Sequence, residues 1–281
     1  MQAGAYGARL DRLELRMLLS FVLGLSRIEL ITQDQRILTE AELARIEALM
    51  RRREQGEPMA YLLGQREFYG LNFQVSPAVL IPRPETELLL ELALQYLPCA
   101  LISTAPRVLD MGTGSGILAV SLAHTRADCV VSALDNSGPA LTVAQANAQQ
   151  HRVSVNFIQS DWYQALPTEA CFDLIISNPP YIQAQDSHLA QGDLRFEPLG
   201  ALTDHADGLS ALRQIVAGAP HHLVAGGWLL MEHGYDQAAA VRALLVAHGF
   251  GEVQSWRDLA GIERVSGGQL QAACASINPI A

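Results

Sequence analysis

The chain contains no lysine: all 19 of its basic residues are arginine. That absence removes a Walker-type phosphate lysine, a Schiff-base lysine and a lysine general base together. Cysteine is scarce. Its four residues, at 99, 129, 171 and 274, show neither paired nor metal-ligand spacing, so neither a disulfide framework nor a zinc site is expected, and a reducing cytoplasm is. No apolar run approaches the ~18 residues of a membrane span, and the start carries no signal-peptide pattern. Internal repeats and low-complexity segments are absent as well. The eight histidines are scattered, with His221-His222 inside a predicted helix, and none is spaced as a ligand or base. Positive charge is in deficit, 19 bases against 29 acids for a net charge of −10. That balance argues against a broad phosphate-binding face.

What the chain does have is apolar material, 49% of 281 residues, enough for one large and one small domain. The division is expected at 1–75 and 76–281. Residues 6 to about 64 read as helical. Leu10, Leu13, Leu15, Met17, Leu18 and Phe21 recur at near-helical spacing, and Gly24 is a stop signal. Thr39-Glu40-Ala41-Glu42 has the form of a capping box, opening a helix that ends at Arg51-Arg52-Arg53. Cations there complement the helix dipole, so the triplet reads as a solvated helix end. Phe68 to Val75 suggests a linking hairpin, and Pro84 suits the first turn of a helix carrying Leu88, Leu89, Leu92 and Leu94.

From 106 onward strands and helices alternate, which predicts a doubly wound parallel sheet. Strands are expected at 106–110, 129–134, 153–159, 172–177 and 227–232, with two more in 250–257 and 262–273. Helices are expected at 115–125, 138–151, 208–224 and 235–248, the last stopped by Gly249. Residues 182–207 form a polar connection too long for a compact domain unless it is a functional loop.

Two motifs carry chemistry. The strand Phe172-Asp173-Leu174-Ile175-Ile176-Ser177 runs into Asn178-Pro179-Pro180-Tyr181. The two prolines remove backbone donors and stiffen the turn, leaving its carbonyls free to accept. An Asn side chain, free carbonyls and an aromatic face together suit a planar NH₂ group. The second motif, Val108-Leu109-Asp110-Met111-Gly112-Thr113-Gly114-Ser115-Gly116, joins a strand to a helix through three glycines. Such a loop lets a ligand approach the backbone at a helix N-terminus. The dinucleotide fingerprint wants a glycine where Ile117 stands, and Asp110 would repel a pyrophosphate but suit a cationic amino-acid end. Asp135 ends the next strand about 20 residues on, where an acid binds ribose hydroxyls; capping the following helix is its other reading. Ribose, an amino-acid moiety and no phosphate describe S-adenosylmethionine.

These residues resemble the class I S-adenosylmethionine-dependent methyltransferases. More narrowly, they resemble the protein-glutamine methyltransferases that act on peptide chain release factors. The narrower resemblance adds Arg66-Glu67-Phe68-Tyr69-Gly70, Ile81-Pro82-Arg83-Pro84-Glu85-Thr86-Glu87, Ser160-Asp161-Trp162 and Arg195-Phe196-Glu197-Pro198-Leu199. It runs over nearly the whole chain. It implies an α/β fold with a mostly parallel seven-stranded sheet ending in a reversed pair, behind a small N-terminal helical domain that recognises substrate. The implied cofactor is S-adenosylmethionine, held by Asp110, Gly112, Thr113, Gly114, Ser115, Gly116, Asp135 and Asn178. Asp161 and Trp162 lie around the adenine, although Trp162 also reads as core filler. The implied partners are class-1 release factors, methylated at the glutamine of their Gly-Gly-Gln motif in the cytoplasm, without direct nucleic-acid or membrane contact. Arg83, Glu85 and Glu87 read either as an exposed helix start or as substrate or cofactor contacts, with Arg83 the substrate candidate.

A carboxamide nitrogen is a poor nucleophile that no ordinary side chain deprotonates in advance, so no general base is required. The work left to the protein is alignment, which can lower a barrier by up to ~7–11 kcal/mol. Asn178 Oδ1 and the Pro179 carbonyl are the expected acceptors, Pro180 stiffens the turn, and Tyr181 packs on the amide plane. The same turn would serve an enzyme acting on a flipped base in nucleic acid, against which acidity and lack of lysine count. A closer rival is the related glutamine methyltransferase of a ribosomal protein, against which Ile81-Pro82-Arg83-Pro84-Glu85-Thr86-Glu87 counts, and a cofactor-binding scaffold is the weakest alternative because both motifs are intact. Gly267-Gly268-Gln269 repeats the implied substrate motif within the chain. Expected in the turn or start of the last strand, it reads as chance rather than as a pseudosubstrate.

Overall fold

A computed structural model describes residues 10–98 and 105–271. Its first part is helical. α1 (Arg12–Leu23) is capped by Asp11 and ends at Gly24 in the left-handed region, φ 65°. α3 (Glu40–Glu54) opens on the reciprocal Thr39–Glu42 capping box. Two short helices complete this part: the one before α3, α2 (Arg27–Thr32), and the one after it, α4 (Met59–Leu63). Leu15, Leu18, Ile46, Leu49, Met50 and Leu62 form a separate core here. The arginine triplet is not simply solvated. Arg53 is half-buried and forks onto Glu14 Oε1 at 2.7 and 3.0 Å, pinning α3 to α1.

A hairpin of β1 (Gln65–Phe68) and β2 (Leu71–Gln74) follows. Phe68 and Phe73 are driven into the core beneath the main sheet, against Leu89 and Leu90 of α5 (Thr86–Tyr96). Strands and helices then alternate: β3 (Arg107–Met111), α6 (Ile117–Thr125), β4 (Val130–Asp135), α7 (Gly138–His151), β5 (Asn156–Gln159) and β6 (Phe172–Ser177). Beyond residue 182 come α8 (Leu199–Leu202), α9 (Ser210–Gly218), β7 (Leu223–Glu232), α10 (Ala238–Ala247), β8 (Phe250–Arg257) and β9 (Glu263–Leu270). The seven-stranded sheet runs β5-β4-β3-β6-β7-β9-β8. Its first five strands are parallel, and β9 is antiparallel to both neighbours.

Helices cover both faces of this sheet, so its strands are buried on both sides. Alternate residues go to opposite cores. Val108, Leu174, Ile176 and Leu230 pack on one side; Leu109, Met111, Ile175, Leu229 and Met231 pack on the other. The chain order reverses between β3 and β6, leaving a crevice at the carboxyl ends of the strands. The register Met111↔Ser177 brings the glycine loop and the Asn-Pro-Pro-Tyr turn side by side, and Ser177 Oγ donates to the Met111 carbonyl at 2.7 Å.

Several expectations need correcting. The helix expected to 224 stops at Gly218 and passes through a 3₁₀ turn containing Pro220. β7 therefore begins at Leu223, and His222 is no helix residue: it is buried, with Nδ1 bonded to the Ala170 carbonyl at 2.9 Å. The connection 182–207 is structured, with two 3₁₀ turns, α8 and an Ile182↔Thr203 bridge. β5 starts three residues late because Arg152 ends α7 in a left-handed cap. Of the cysteines, 129 and 171 are free thiols, while 99 and 274 lie outside the described residues. Residues 6–9 and 272–273, included in expected elements, also lie outside them. Among the described residues no helix is long and apolar enough to cross a membrane.

Gly267-Gly268-Gln269 lies inside β9, opposite Leu230, Leu229 and Trp228, not in a turn or at the strand's start. Packing accounts for the glycines. A Cβ at Gly267 would sit 2.5 Å from both the Leu229 carbonyl oxygen and Leu230 Cδ2. Gly267→Ala is therefore expected to cost about 2–3 kcal/mol by prising β9 from β7. Urea unfolding measures it, and an unchanged midpoint would mean that packing does not explain the tripeptide.

Candidate active site at the carboxyl ends of the strands

A cavity of about 250 Å³ opens where β3, β4 and β6 end. Its floor is the glycine loop. Gly112 and Gly114 have φ of 73° and 55°, a backbone conformation that resists side chains. Gly116 stands back from the cavity, where a Cβ would meet Ala144 at 3.1–3.2 Å, so its smallness serves α6–α7 packing.

Asp110 also differs from expectation. It is fully buried beneath the loop and does not line the cavity. Its Oδ2 accepts from Thr113 Oγ1 at 2.7 Å and from Ala119 N at 3.2 Å, tying the loop to the first turn of α6. Oδ1 has no hydrogen-bond partner among the described residues. Burial pushes the carboxyl up to about 7, against the pull of those two donors.

Asp135 does line the cavity. Its Oδ2 accepts from Gly114 N and its Oδ1 from Ser137 N, both at 2.9 Å. The cap of α7 is Ser137, which accepts from Ala140 N. A carboxylate offers about four lone-pair sites, so each oxygen can accept one more hydrogen, the arrangement a cis-diol needs. Burial raises the Asp135 pKa, and the backbone amides of Ser137, Gly114 and Asn136 oppose that. Beside it, Asp161 and Trp162 line the wall, Trp162 at φ 47°, together with Ile117, Leu134 and Ala140. That apolar slot suits a flat heterocycle.

On the far side, Asn178 is common to this cavity and to a second of about 70 Å³. Pro180 faces the first; Pro179 and Tyr181 face the second. Asn178 Nδ2 donates to Thr86 Oγ1 at 3.1 Å, which leaves Oδ1 toward the cavities. Tyr181 turns its hydroxyl inward to Glu232 Oε1 at 3.2 Å, and its carbonyl accepts from Gln237 Nε2 at 3.0 Å. Glu232 is buried at the end of β7, and burial pushes its carboxyl up to about 7, with the hydroxyls of Thr86 and Tyr181 working against the shift.

Arg83 borders both cavities and is paired with the buried carboxylate of Glu197, whose Oε2 accepts from Ile81 N at 2.9 Å. Glu197 thereby fastens the 182–207 segment to the 81–83 segment. The same segment reaches the helical part through Arg195 Nη2, which donates to the Gln55 carbonyl at 2.8 Å. Glu87 is neither a free helix start nor a cavity residue; it accepts from Tyr69 N at 3.0 Å. Glu85 is exposed. Thr86, Glu197, Glu232 and Gln237 are the contributors that sequence reading missed. One signal for Glu232 was available: like Asp110 and Asp135, it is an acid closing an apolar strand.

The donor set fits S-adenosylmethionine. An acid that can accept further hydrogens, an apolar slot and backbone at close range are present, and Arg83, the one cation bordering the cavity among the described residues, is already paired. Among the described residues no group of three or more His, Cys, Asp or Glu side chains is arranged to hold a metal.

Residues 86–194 match the methyltransferase small domain family, and residues 4–64 match the PrmC N-terminal domain. A release factor glutamine methyltransferase of Bordetella pertussis is 56% identical over 93% of this chain and 96% of its own. One from Burkholderia pseudomallei is 54% identical over 93% of each. A T. thermophilus 16S rRNA methyltransferase, solved with AdoMet and guanosine, superimposes with a TM-score of 0.53 at 22% identity, over 74% of this chain and 50% of that one. At that identity the likeness is one of fold.

The raised acids make stability depend on pH. A folded-state pKa near 7 for Asp110, against about 4 unfolded, means that the folded chain holds a proton the unfolded chain has lost between those values. Stability therefore falls as pH rises through that window and levels off above it. Asp110→Asn has no such proton to lose. It is expected to gain about 2 kcal/mol on the wild type between about pH 5 and about pH 8 in the absence of cofactor, by urea unfolding. An equal difference at both pH values would mean that Asp110 is ionised at little cost.

Proposed function

The chain belongs to the release factor glutamine methyltransferase family, and on that premise we propose that it methylates the glutamine of the Gly-Gly-Gln motif in class-1 peptide chain release factors. The methyl group goes from S-adenosylmethionine to the side-chain amide nitrogen. One observation carries this reading: Asn178 belongs to both cavities, with its Nδ2 held back and its Oδ1 forward. A cofactor-sized space and a side-chain-sized space meet at one hydrogen-bond acceptor.

S-adenosylmethionine supplies an electrophilic methyl group on a sulfonium. The chain's residues supply position. Asp135 would accept from the ribose hydroxyls, Asp161 and Trp162 would flank the adenine, and the backbone of 112–115 would hold the amino-acid end, on the loop that Asp110 and Gly116 support. On the substrate side, Asn178 Oδ1 and the Pro179 carbonyl take the two hydrogens of the glutamine NH₂. Tyr181 packs on the amide plane, and Pro180 keeps the turn rigid. Accepting both hydrogens would raise electron density on nitrogen and hold its lone pair toward a bound methyl group. The N–C bond would form as the S–C bond breaks to leave the neutral sulfide. The methylated nitrogen, now strongly acidic, would lose one of its two hydrogens past these acceptors to water, so alignment replaces a general base acting in advance. Arg83 has five donors, and those not used by Glu197 are available to substrate carbonyls. A release-factor substrate sets the cytoplasm as the place of work.

The reading is tested by incubating the protein with methyl-labelled S-adenosylmethionine and separate pools of release factor, ribosomal protein, DNA and RNA. Label is expected in the release factor alone. Asn178→Ala should lower that transfer about a hundredfold or more, the scale of a lost transition-state donor or acceptor, while calorimetry finds cofactor affinity nearly unchanged. Label in nucleic acid or ribosomal protein instead would replace the substrate assignment, and near-normal turnover by the variant would remove the turn from the mechanism.

We also assign recognition of the folded substrate to residues 1–75. Leu13, Met17 and Phe21, four residues apart, form an exposed apolar stripe on α1, and Ile28 and Ile31 are exposed on α2. Replacing Leu13, Met17 and Ile28 by Ser should raise KM for the intact release factor about tenfold and leave KM for a short Gly-Gly-Gln peptide unchanged. Equal KM values for the intact factor would show that docking lies elsewhere.

A further inference from the structure

Beneath the Asn-Pro-Pro-Tyr turn lies a buried acid that the fold does not need. Glu232 is 1% exposed at the end of β7. Its Oε1 accepts the Tyr181 hydroxyl at 3.2 Å, and its Oε2 has no hydrogen-bond partner among the described residues. Thr86, fully buried at the start of α5, is close enough for its hydroxyl to favour the ionised form of the same carboxyl. The Thr86 oxygen also accepts Asn178 Nδ2 at 3.1 Å. Burying a carboxyl with half its acceptors unmet is costly, and a neutral residue of the same size would fill the space at less expense. A glutamic acid here calls for a reason other than packing.

Direction supplies one. A hydroxyl has a single hydrogen. The Thr86 oxygen accepts from Asn178, so its own hydrogen must go elsewhere, and Glu232 is the acceptor it faces. Once ionised, above the value of about 7 to which burial raises it, the carboxylate has no hydrogen to give back. Thr86 can then only donate to Glu232 and accept from Asn178, which sends Nδ2 inward and Oδ1 outward. We infer that Glu232 is a positioning residue: through the hydroxyls of Thr86 and Tyr181 it sets which end of the Asn178 amide meets the substrate. The inference rests on the glutamine-methylation reading, because only a substrate NH₂ demands an oxygen at that place.

A glutamine at 232 has nearly the same shape but brings an NH₂ group. That group can donate to Thr86, freeing the Thr86 hydrogen to point at Asn178 and allowing the amide to turn over. Two NH₂ groups would then face each other across the cavity wall. Packing is preserved while polarity is lost, and the variant also sheds a buried acid.

The test compares wild type, Glu232→Gln, Thr86→Val and Thr86→Ser at about pH 8.5, where Glu232 is ionised, in release-factor methylation, calorimetric binding of S-adenosylmethionine and thermal unfolding. Glu232→Gln is expected to lose about tenfold or more in kcat, the scale of one misdirected hydrogen bond. Its cofactor Kd should stay within about twofold and its Tm should hold or rise. Thr86→Val should lose as much, Thr86→Ser should keep wild-type kcat, and adding Glu232→Gln to Thr86→Val should cost little more, because both act on one relay. Wild-type kcat in Glu232→Gln overturns the inference, as does a rate loss matched by a drop in Tm. A wild type that leaves the release factor unmethylated refutes the functional reading instead, and the relay with it.

Discussion

The site depends on the parallel pairing of β3 with β6. Met111 stands opposite Ser177, and this register sets the glycine loop beside the Asn-Pro-Pro-Tyr turn although 66 residues separate their strands. Both strands are buried on both faces, with alternate residues committed to different cores. A slip of one residue would exchange the two sets and put Asp110 in the wrong core, so the register is strongly specified. The Ser177 hydroxyl bonded to the Met111 carbonyl closes the pair at the point where the chains diverge toward the cavity. Cofactor space and substrate space are thus neighbours because two strand ends are.

A second theme is the placement of acids. Asp110, Asp135 and Glu232 each close or nearly close an apolar strand, and burial raises the pKa of each. Their surroundings divide the labour. Asp135 keeps lone pairs open to the cavity, Asp110 turns under the loop to hold Thr113 and Ala119, and Glu232 sits behind the turn that frames the substrate amide. Buried carboxyls of this kind weaken a fold, and the stability they cost is exchanged for rigidity where atoms must be held in line. The Arg83–Glu197 pair adds to that rigidity by binding the segment after β6 to the one before α5.

Much of this was legible in the residues. The helix 138–151 has its expected bounds, although Ser137 rather than Asp135 caps it, and β8 lies at 250–257, where the resemblance implied the first of a reversed pair. The strand-to-loop motifs pointed to Gly112 to Ser115, Asp135 and Asn178, which border the cavity, because each is a local pattern with a local consequence, while Trp162 came from the resemblance. What escaped is non-local or without periodicity. α2 has a capping box at Ser26–Glu29 but no buried residue, so it carries no apolar stripe to read. β7 was expected only from 227 because 208–224 read as one helix, whereas that helix stops at Gly218 and the strand starts at Leu223, near a register shift opposite β6. Glu232 lies 51 residues from Tyr181, and only the β6–β7 pairing brings them together. Asp110, expected at the cofactor's amino-acid end, is buried beneath the glycine loop and does not border the cavity, because strand parity says which core a side chain enters but not whether a loop then covers it.

The central claim is that an oriented acceptor, not a base, prepares the amide nitrogen, and a structure of the complex tests it directly. The protein would be crystallised with S-adenosylhomocysteine and a Gly-Gly-Gln peptide. The account predicts the glutamine nitrogen within about 3 Å of both Asn178 Oδ1 and the Pro179 carbonyl, with Asn178 Nδ2 still on Thr86. A glutamine whose nitrogen faces Asn178 Nδ2, or meets a carboxylate or imidazole in place of the turn, would contradict it.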